Sequence, residues 1–543
     1  MVVRFWILIG CLCAAFSLVV FHLYQLQVEK GDYYLARAES QYLASSIVIS
    51  NRGLIYFTDK NGNRLPAVLN KNFPIIISSP KMIDDAAEAA NALAPVLGRT
   101  PTDLEAIFSK KSDSYEVLAR KADTAIAQQV EDLTIKGVYA SIEPGRFYPL
   151  GLLASHLLGF AGPSKDSAGE SGHYGVEEFY NAELAGVSGT STQRSAPGGD
   201  LTLTIDPNIQ TEAEKVLSGL MSTYKATGGT VIVEDPRTGK ILAMESAPGF
   251  DPNEYASSSL SAFLNPATQQ IYEPGSVFKI LTMAAGIDSG KLTPTTKYFD
   301  TGSLTLNGKT ISNYDLTKHG PYGWATMTNV IEHSINTGAA FAEREIGRTI
   351  FTDYMHRFGF SEKTGIDLPG EITGNLKRLN PKERDIAFAT AAYGQGVAAT
   401  PIELVTAVGA IANGGNLMRP YLNAALSPQI IRRVVSVSTA TQVTGMMISA
   451  VDKADVAKIG GYSIAGKTGT ALIPDFTRGG YTDKVIDSYV GFGPTSDPKF
   501  TILIKINGLD NSQLAALSVV PAFRDLAQFI LNYYNIQPDR IQN

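Results

Sequence analysis

QQIYEPGSVFKILTMAAG, Gln269 to Gly286, is the stretch on which the fold turns. It sets a serine directly after a Pro-Gly turn, a lysine three residues later, and then an apolar run. In a helix that begins near Ser276, positions i and i+3 share a face, so Ser276 and Lys279 touch. A serine hydroxyl is a poor nucleophile until a base takes its proton. Lysine is such a base only when neutral, so its pKa must fall well below ~10.4 through burial or a nearby cation. Val277, Phe278, Ile280 and Leu281 are apolar and suit a desolvated lysine. The helix N-terminus would also set its positive end beside any oxyanion that forms. The competing reading is plain helix capping by Ser276. Ser222 with Lys225 and Ser78 with Lys81 repeat the spacing, the second pair with a proline inside it.

Two further elements bear on the choice. Ser334-Ile335-Asn336 lies in MTNVIEHSINTGAAFAERE, a stretch of helical spacing expected to break near Thr337-Gly338. A second hydroxyl and an amide there suit a proton relay and a hold on a substrate amide; helix capping is the alternative. GYSIAGKTGTALIP follows later, with Tyr462, Ile464, Ala471 and Ile473 alternating as in a strand. On it Lys467 offers a cation, Thr468 and Thr470 offer hydroxyls, and Gly469 leaves room for a ligand beside the strand. The alternative is an edge strand with a solvated lysine. Lys363-Thr364-Gly365 repeats the tripeptide but leads into the acidic, turn-rich IDLPGE. Gly461 to Thr468 also satisfies the phosphate-loop pattern GxxxxGK[ST]. That loop needs an apolar strand before it and a helix after it, whereas Gly469 and Pro474 follow here and DKADVAKIGG precedes.

The whole chain sets the class. Its 543 residues allow about three domains or fewer. A composition of 44% hydrophobic and 18% charged residues suits large buried cores. A net charge of −6 without a long basic run argues against nucleic acid as the main partner. Phe5 to Phe21 is uncharged, and the apolar stretch runs on to about Leu26, enough helix to span a bilayer. Arg4 precedes it, which places residues 1–4 in the cytoplasm and the rest outside. The exit FHLYQLQVEK is bulky, so an uncleaved anchor over 5–26 is favoured over a cleaved signal peptide. Gly10, Ala14 and Ser17 form a small-residue stripe that suits a partner helix, or are incidental. Cys11 and Cys13 both lie in this helix, so the exported part has no thiol and no disulfide framework. The six histidines are scattered. No metal site and no cofactor are expected.

Beyond the anchor, residues 27–199 read as a mixed, loop-rich domain and 200–543 as an α/β (α+β) enzyme domain. In the first, SSIVISNRGLIYFTDKNGNRLPAVL alternates like strands broken at Arg52-Gly53 and Asn61-Gly62, and MIDDAAEAANALAPVLG, from Met82, has helical spacing and an Asp start. Ser164 to Gly175 and Val187 to Gly199 are small and polar; the latter marks the boundary. In the second, LTLTI is a strand, and Asp206-Pro207 opens a helix with Ile209, Ala213, Val216, Leu217 and Leu220 on its apolar face. TVIVEDPRTGKILAMES is a hairpin, and DSYVGFGP and KFTILIKI are strands. VVPAFRDLAQFILNYY is a closing helix that buries Phe523, Leu526, Ile530 and Tyr533.

Ser276-x-x-Lys279, Ser334-x-Asn336 and Lys467-Thr468-Gly469, in that order, are the signature of penicillin-binding proteins and serine β-lactamases. The sequence resembles the class B, monofunctional penicillin-binding proteins. NRGLIYFTDKNG, GRFYPLGLLASHLLGFAG and GVEEFYNAELAGVSG resemble their pedestal motifs, the first with two extra residues between Ile55 and Asp59. DPRTGKILAM, TGIDLPGE and YGQGVAATPIELVTA resemble their transpeptidase domain. The resemblance implies a penicillin-binding fold, an antiparallel sheet flanked by helices, on an N-terminal pedestal of the dimerisation type. It implies a peptidoglycan D,D-transpeptidase that acts on D-Ala-D-Ala stem peptides and is trapped by β-lactams. Ser276 would attack the penultimate D-Ala carbonyl and Lys279 would take its proton. Ser334 would pass the proton to the leaving amine, with Lys467 tuning the network. Asn336 would hold the donor amide, and Thr468 and Thr470 its terminal carboxylate. Backbone N–H groups of Ser276 and Thr470 would form the oxyanion hole. The extra domain and anchor favour the synthetic enzyme over a β-lactamase, and the pedestal is too short for a glycosyltransferase. The implied partners are a membrane-embedded glycan polymerase of the SEDS type and other division or elongation proteins. Tyr272-Glu273-Pro274-Gly275 resembles the division type and Gly394-Gln395-Gly396 the elongation type. The reading leans to division or sporulation, with a catalytically silent scaffold as the alternative of a different class.

Overall fold

Strands with one apolar set per face need cover on both sides, and the C-terminal two thirds of this chain supply it. The computed structural model describes residues 2–29, 47–48, 51–164, 170–186, 189–190, 196–475, 477–510 and 515–540. The chain begins with helix α1 (Val2–Tyr24), which continues as a π-helical turn through Glu29. Arg4–Glu29 is exposed, long and apolar enough to cross a membrane. Parts of three expected segments lie outside the described residues: 45–46 and 49–50, 165–169, and 187–188 with 191–195.

The N-terminal domain is built on one bent sheet. β1 (Ile55–Thr58) turns at Asp59–Asn63 into the long β2 (Arg64–Ser78). The Asp59 carboxylate takes the N–H groups of Asn61 and Asn63, and Gly62 has φ +81°. Helix α2 (Ala86–Leu97) starts at Asp85, which caps the N–H groups of Ala87 and Glu88. β3 (Glu116–Ala119) and β4 (Val138–Phe147) both pair with β2. In the LTLTI stretch, β5 (Leu201–Thr202) joins this sheet parallel to β1; Leu203 still donates its N–H to the Tyr56 carbonyl at 2.8 Å while also bridging Asn423, and the Ile205 carbonyl accepts the Thr58 N–H at 2.9 Å.

The second domain has a five-stranded antiparallel sheet. Helix α3 (Pro207–Tyr224) starts on an Asp206 cap with Pro207 in its first turn. β6 (Gly228–Asp235) and β7 (Lys240–Ala247) form the hairpin. The central helix is α4 (Lys279–Asp288); α5 (Met327–Glu332) and α6 (Asn336–Ile346) pack near it. β8 (Ala465–Pro474), β9 (Tyr481–Gly493) and β10 (Phe500–Asp510) complete the order β7-β6-β10-β9-β8, with β8 at the edge. Helices α7 (Pro401–Ala412) and α8 (Val437–Ala454) pack on the domain, and α9 (Val519–Tyr533) closes it. Side chains alternate across the sheet. Val231, Val233, Ile502, Ile504 and Ile506 face α3 and α9, whereas Ile232 and Leu503 face α7. Phe523, Leu526 and Ile530 are buried as expected; Tyr533 is only half-buried, because its hydroxyl reaches out to accept from Asn208 Nδ2 at 3.0 Å. Tyr462 and Ile464 precede β8 rather than belong to it.

A buried charge cluster fixes the pedestal. The Glu177 carboxylate, wholly buried, meets Arg52 Nε at 2.6 Å and Arg146 Nε at 2.8 Å. Arg52 also donates to Asn181 Oδ1 at 2.8 Å and Arg146 to Asn70 Oδ1 at 2.9 Å. The three charges come from three separate motifs and tie the short helix Gly175–Phe179 to β4 and to the segment before β1. The same region docks on the second domain. Asn253 exchanges hydrogen bonds with the Tyr148 backbone at 3.0 and 2.9 Å, and Phe160 stacks on Tyr255 with centroids 4.2 Å apart. Removing one member of a buried ion cluster strands the others without compensation. Glu177→Ala should therefore destabilise the protein by ~3–5 kcal/mol, read as a lowered urea midpoint; an unchanged midpoint would mean water reaches the two arginines.

Candidate active site

The nucleophile segment is one tight turn feeding a helix. Gly275–Phe278 forms a 3-10 turn that runs straight into α4. Every residue from Lys279 to Ile287 is buried, so α4 has no wet face and its lysine is held out of water. The Ser276 side chain does not cap the helix. Lys279 Nζ lies 3.1 Å from Ser276 Oγ. It also lies 3.1 Å from Ser334 Oγ and 2.8 Å from Asn336 Oδ1, with a short contact to the Ser334 carbonyl. Burial first, and the charge of Lys467 second, hold the Lys279 pKa well below the usual lysine value; Asp315 opposes them weakly.

These contacts decide where the amine's lone pair points. A neutral amine has two N–H donors and one lone pair. The Ser334 carbonyl and Asn336 Oδ1 can only accept, so they take the two donors. The Asn336 amide is oriented by its other end, since Nδ2 donates to the Ser312 carbonyl at 3.0 Å. The lone pair of the neutral amine is left for a hydroxyl, and Ser276 and Ser334 each offer one at 3.1 Å.

Ser334 occupies a left-handed backbone position, φ +57°. The break in this helical stretch falls at His333–Ile335, not near Thr337-Gly338, which lie in the first turn of α6. The reason is an anchor upstream. Buried Asp300 accepts from the Thr337 hydroxyl at 2.5 Å, and Asn313 Oδ1 accepts the Thr337 N–H at 3.1 Å, so α6 restarts at Asn336. The left-handed turn then aims both the carbonyl and the hydroxyl of Ser334 at Lys279. Lys467, on β8, reaches the same hydroxyl at 3.0 Å and Thr468 Oγ1 at 3.2 Å. It is only 4% exposed, and burial pushes its pKa down to about 7. Lys467 is thus not the solvated lysine of an ordinary edge strand.

Glycine lets the strand edge meet the turn. Gly275 has φ +56°, and a methyl on it would sit 2.7 Å from the Thr470 carbonyl. A methyl on Gly469 would sit 2.8 Å from the Pro274 carbonyl. Gly394, of the Gly394-Gln395-Gly396 motif, supports the turn from behind by accepting the Gly275 N–H at 3.2 Å. Glu273 ties three segments together: it accepts from Gly396 N–H at 2.9 Å and from the Tyr481 hydroxyl at 3.0 Å.

Ser276, Lys279, Ser334, Asn336 and Lys467 thus form one hydrogen-bonded cluster, with Thr468, Gly469 and Thr470 along its side. Thr470 is turned away: its hydroxyl donates to Asp487 Oδ1 on β9 at 3.0 Å. Asp487 and the Gly394 support were not singled out from sequence. The first lies in a segment legible only as a strand, and the second in a motif whose spatial partner sits over a hundred residues away. The other motif copies are elsewhere engaged. Thr364 donates its N–H and hydroxyl to Glu371 at 2.7 and 2.6 Å. Lys225 lies past the end of α3 in a left-handed position, and Ser78 is buried at the end of β2. Gly461 to Thr468 runs from a loop into strand β8, with no helix after it, so the phosphate-loop reading is overturned.

The buried amine carries a stability signature. A lysine whose folded pKa lies below its ordinary 10.5 binds a proton on unfolding, so native stability is lost as pH falls from the unfolded value toward the folded one. Lys279→Met removes that penalty. Its stability relative to the native protein should rise as pH drops from about 10 to about 7, measured by denaturant unfolding, while acylation disappears. A difference independent of pH would mean that Lys279 keeps its charge in the fold.

The comparisons with known proteins agree with this geometry. The penicillin binding protein transpeptidase domain matches residues 229–528, and the penicillin-binding protein dimerisation domain matches 47–215. Stage V sporulation protein D of Bacillus subtilis (strain 168) is 30% identical over 524 residues, covering 89% of this chain and 79% of the relative. Peptidoglycan D,D-transpeptidase FtsI of Escherichia coli (strain K12) is 28% identical over 566 residues, covering 99% and 93%. A solved peptidoglycan synthetase from Bifidobacterium adolescentis superposes with a TM-score of 0.67 at 25% identity, covering 92% of this chain and 98% of that one. With a family domain matched over more than half its length and a buried Ser-Lys pair joined to a second serine and an edge-strand lysine, the chain belongs to the penicillin-binding protein transpeptidase family.

Proposed function

We propose that this chain is a peptidoglycan D,D-transpeptidase that crosslinks stem peptides through an acyl group on Ser276. The observation that carries the assignment is the buried Lys279 Nζ 3.1 Å from Ser276 Oγ, one helical turn away, with the Ser334 carbonyl and Asn336 Oδ1 there to take its N–H groups. Lys279 takes the Ser276 proton as Oγ bonds to the penultimate D-Ala carbonyl. The carbon–nitrogen bond to the terminal D-Ala breaks, and its amine leaves with a proton relayed through Ser334, which touches both Lys279 and Lys467. Asn336 orients the Lys279 amine. The backbone N–H groups of Ser276 and Thr470 receive the oxyanion, and Thr468 and Thr470 bind the donor carboxylate, Thr470 by rotating its hydroxyl off Asp487. The amine of a second stem peptide then takes the acyl group, reversing the proton path. A β-lactam enters as a donor and remains on Ser276.

Division into an anchor over 5–26, a pedestal over 27–199 and a catalytic domain over 200–543 belongs to the same reading. The chain crosses the cytoplasmic membrane once with its N-terminus inside, as Arg4 before the apolar helix supports. Its activity outside the membrane is paired with a membrane-embedded glycan polymerase of the SEDS type. Glu273 before Pro274-Gly275 and the short pedestal support a role in division or sporulation.

Fluorescent penicillin should label the native chain covalently, with the adduct located on the Ser276 peptide by mass spectrometry. Ser276→Ala should take no label; a labelled Ser276→Ala overturns the assignment. Ser334→Ala should lower the acylation rate by roughly 10²–10⁴-fold without changing the site of attachment.

A further inference from the structure

Behind the strand that borders the cleft sits a buried carboxylate. Asp487 lies on β9, paired across to Thr470 on β8 and to Ile506 on β10. It is fully buried. Its Oδ1 accepts the Thr470 hydroxyl at 3.0 Å and its Oδ2 accepts the Ser518 hydroxyl at 2.8 Å. Ser518 is the residue before α9, yet its side chain makes no cap hydrogen bond to that helix. The charged groups on the adjoining strands lie elsewhere. Lys467 turns to Ser334, Lys505 lies over the Tyr272 ring, and Lys484 pairs with Asp510. On α9 the first charged side chain is Arg524, which is exposed and pairs with Asp525. Among the described residues no cation pairs with Asp487, and burial raises its pKa above the ordinary carboxylate value, against the two hydroxyl donors that lower it.

We infer that Asp487 is a positioning residue that sets the direction of the Thr470 hydroxyl, and so couples the hold on an anionic acyl donor to one proton kept behind the strand. This rests on the reading that Thr470 binds the donor carboxylate once its hydroxyl leaves Asp487. A hydroxyl has one proton. When Asp487 is ionised, Thr470 must spend its proton on it, and only lone pairs remain for the cleft. A carboxylate there meets an acceptor with a second negative charge behind it. When Asp487 is protonated, its own O–H donates to Thr470 Oγ1, and the Thr470 proton turns toward the cleft and the donor. Uptake of the anion and uptake of the proton are therefore linked, each favouring the other. The sign follows: capture of a carboxylate-bearing donor is strongest with Asp487 protonated. It falls as pH rises through the Asp487 pKa, by up to tenfold per pH unit.

The test is the second-order rate of Ser276 acylation by benzylpenicillin and by its methyl ester. It uses the detergent-solubilised full chain across a pH series that covers the acid and neutral range. For the native chain the free acid should show a falling limb that the ester lacks, after both are normalised to the rising limb of Lys279. In Asp487→Asn, which cannot ionise, the limb should vanish for the free acid. Thr470→Val, which removes the hydroxyl but keeps Asp487, should lose it too and serves if the first variant does not fold. Equal limbs for acid and ester, or a limb that persists in either variant, would overturn the inference. No acylation of native Ser276 by either compound would instead refute the catalytic assignment itself.

Discussion

An amine held out of water sheds its proton, and the whole catalytic domain is arranged to hold one. Lys279 opens a helix that is buried on every side. Solvation would restore its charge, so the cover over α4 is a chemical requirement as much as a packing one. The edge of the sheet packs on the turn that opens that helix, and α5, α6, α7 and α8 pack on the helix itself. The second lysine, Lys467, adds to the effect, because two ammonium groups bridged by one Ser334 hydroxyl cannot both stay charged without cost. Desolvation also strengthens every dipole aimed at the site, including the N-terminal end of α4.

The geometry of the site is set by backbone more than by side chains. Gly275 and Gly469 allow a turn and a strand edge to come within contact distance, where any Cβ would collide with a carbonyl. Ser334 reaches Lys279 only because its residue adopts a left-handed conformation. That conformation is held by the anchor of Thr337 on Asp300 and Asn313, on the far side of the turn. Strain at one residue persists where neighbouring contacts over-determine it. The pedestal contributes stiffness of another kind, through a carboxylate shared by two buried arginines and an aromatic seam at Phe160 and Tyr255.

Several elements were legible in the sequence, each because its signal is local. Asp206-Pro207 starts a helix, Asn61-Gly62 turns a hairpin and Asp85 caps a helix through bonds within a few residues. The Ser276-Lys279 contact is also local, since one turn of helix brings it about. The misreadings share the opposite character. The break at His333–Ile335 was expected three residues later, because its cause is Asp300, more than thirty positions upstream. Tyr533 was expected in the core, but a polar partner on another element, Asn208, holds its hydroxyl at the surface. LTLTI keeps hydrogen bonds to β1 as far as Ile205, but its regular strand stops at Thr202, because the next outward N–H, on Thr204, goes to Leu422 of the second domain.

The amino-acid sequence by itself determined which groups are present, in what order, and which lie within one helical turn of each other. It thereby determined the family, the membrane-length apolar helix and the pairing of Ser276 with Lys279. Only the tertiary structure decided that Lys279 is dry, that its two donors are spent on Ser334 and Asn336, and that Thr470 turns to Asp487 instead of to the cleft. The physical reason is that protonation state and hydroxyl direction depend on solvent exclusion and on partners from distant segments. Neither leaves a periodic trace along the chain.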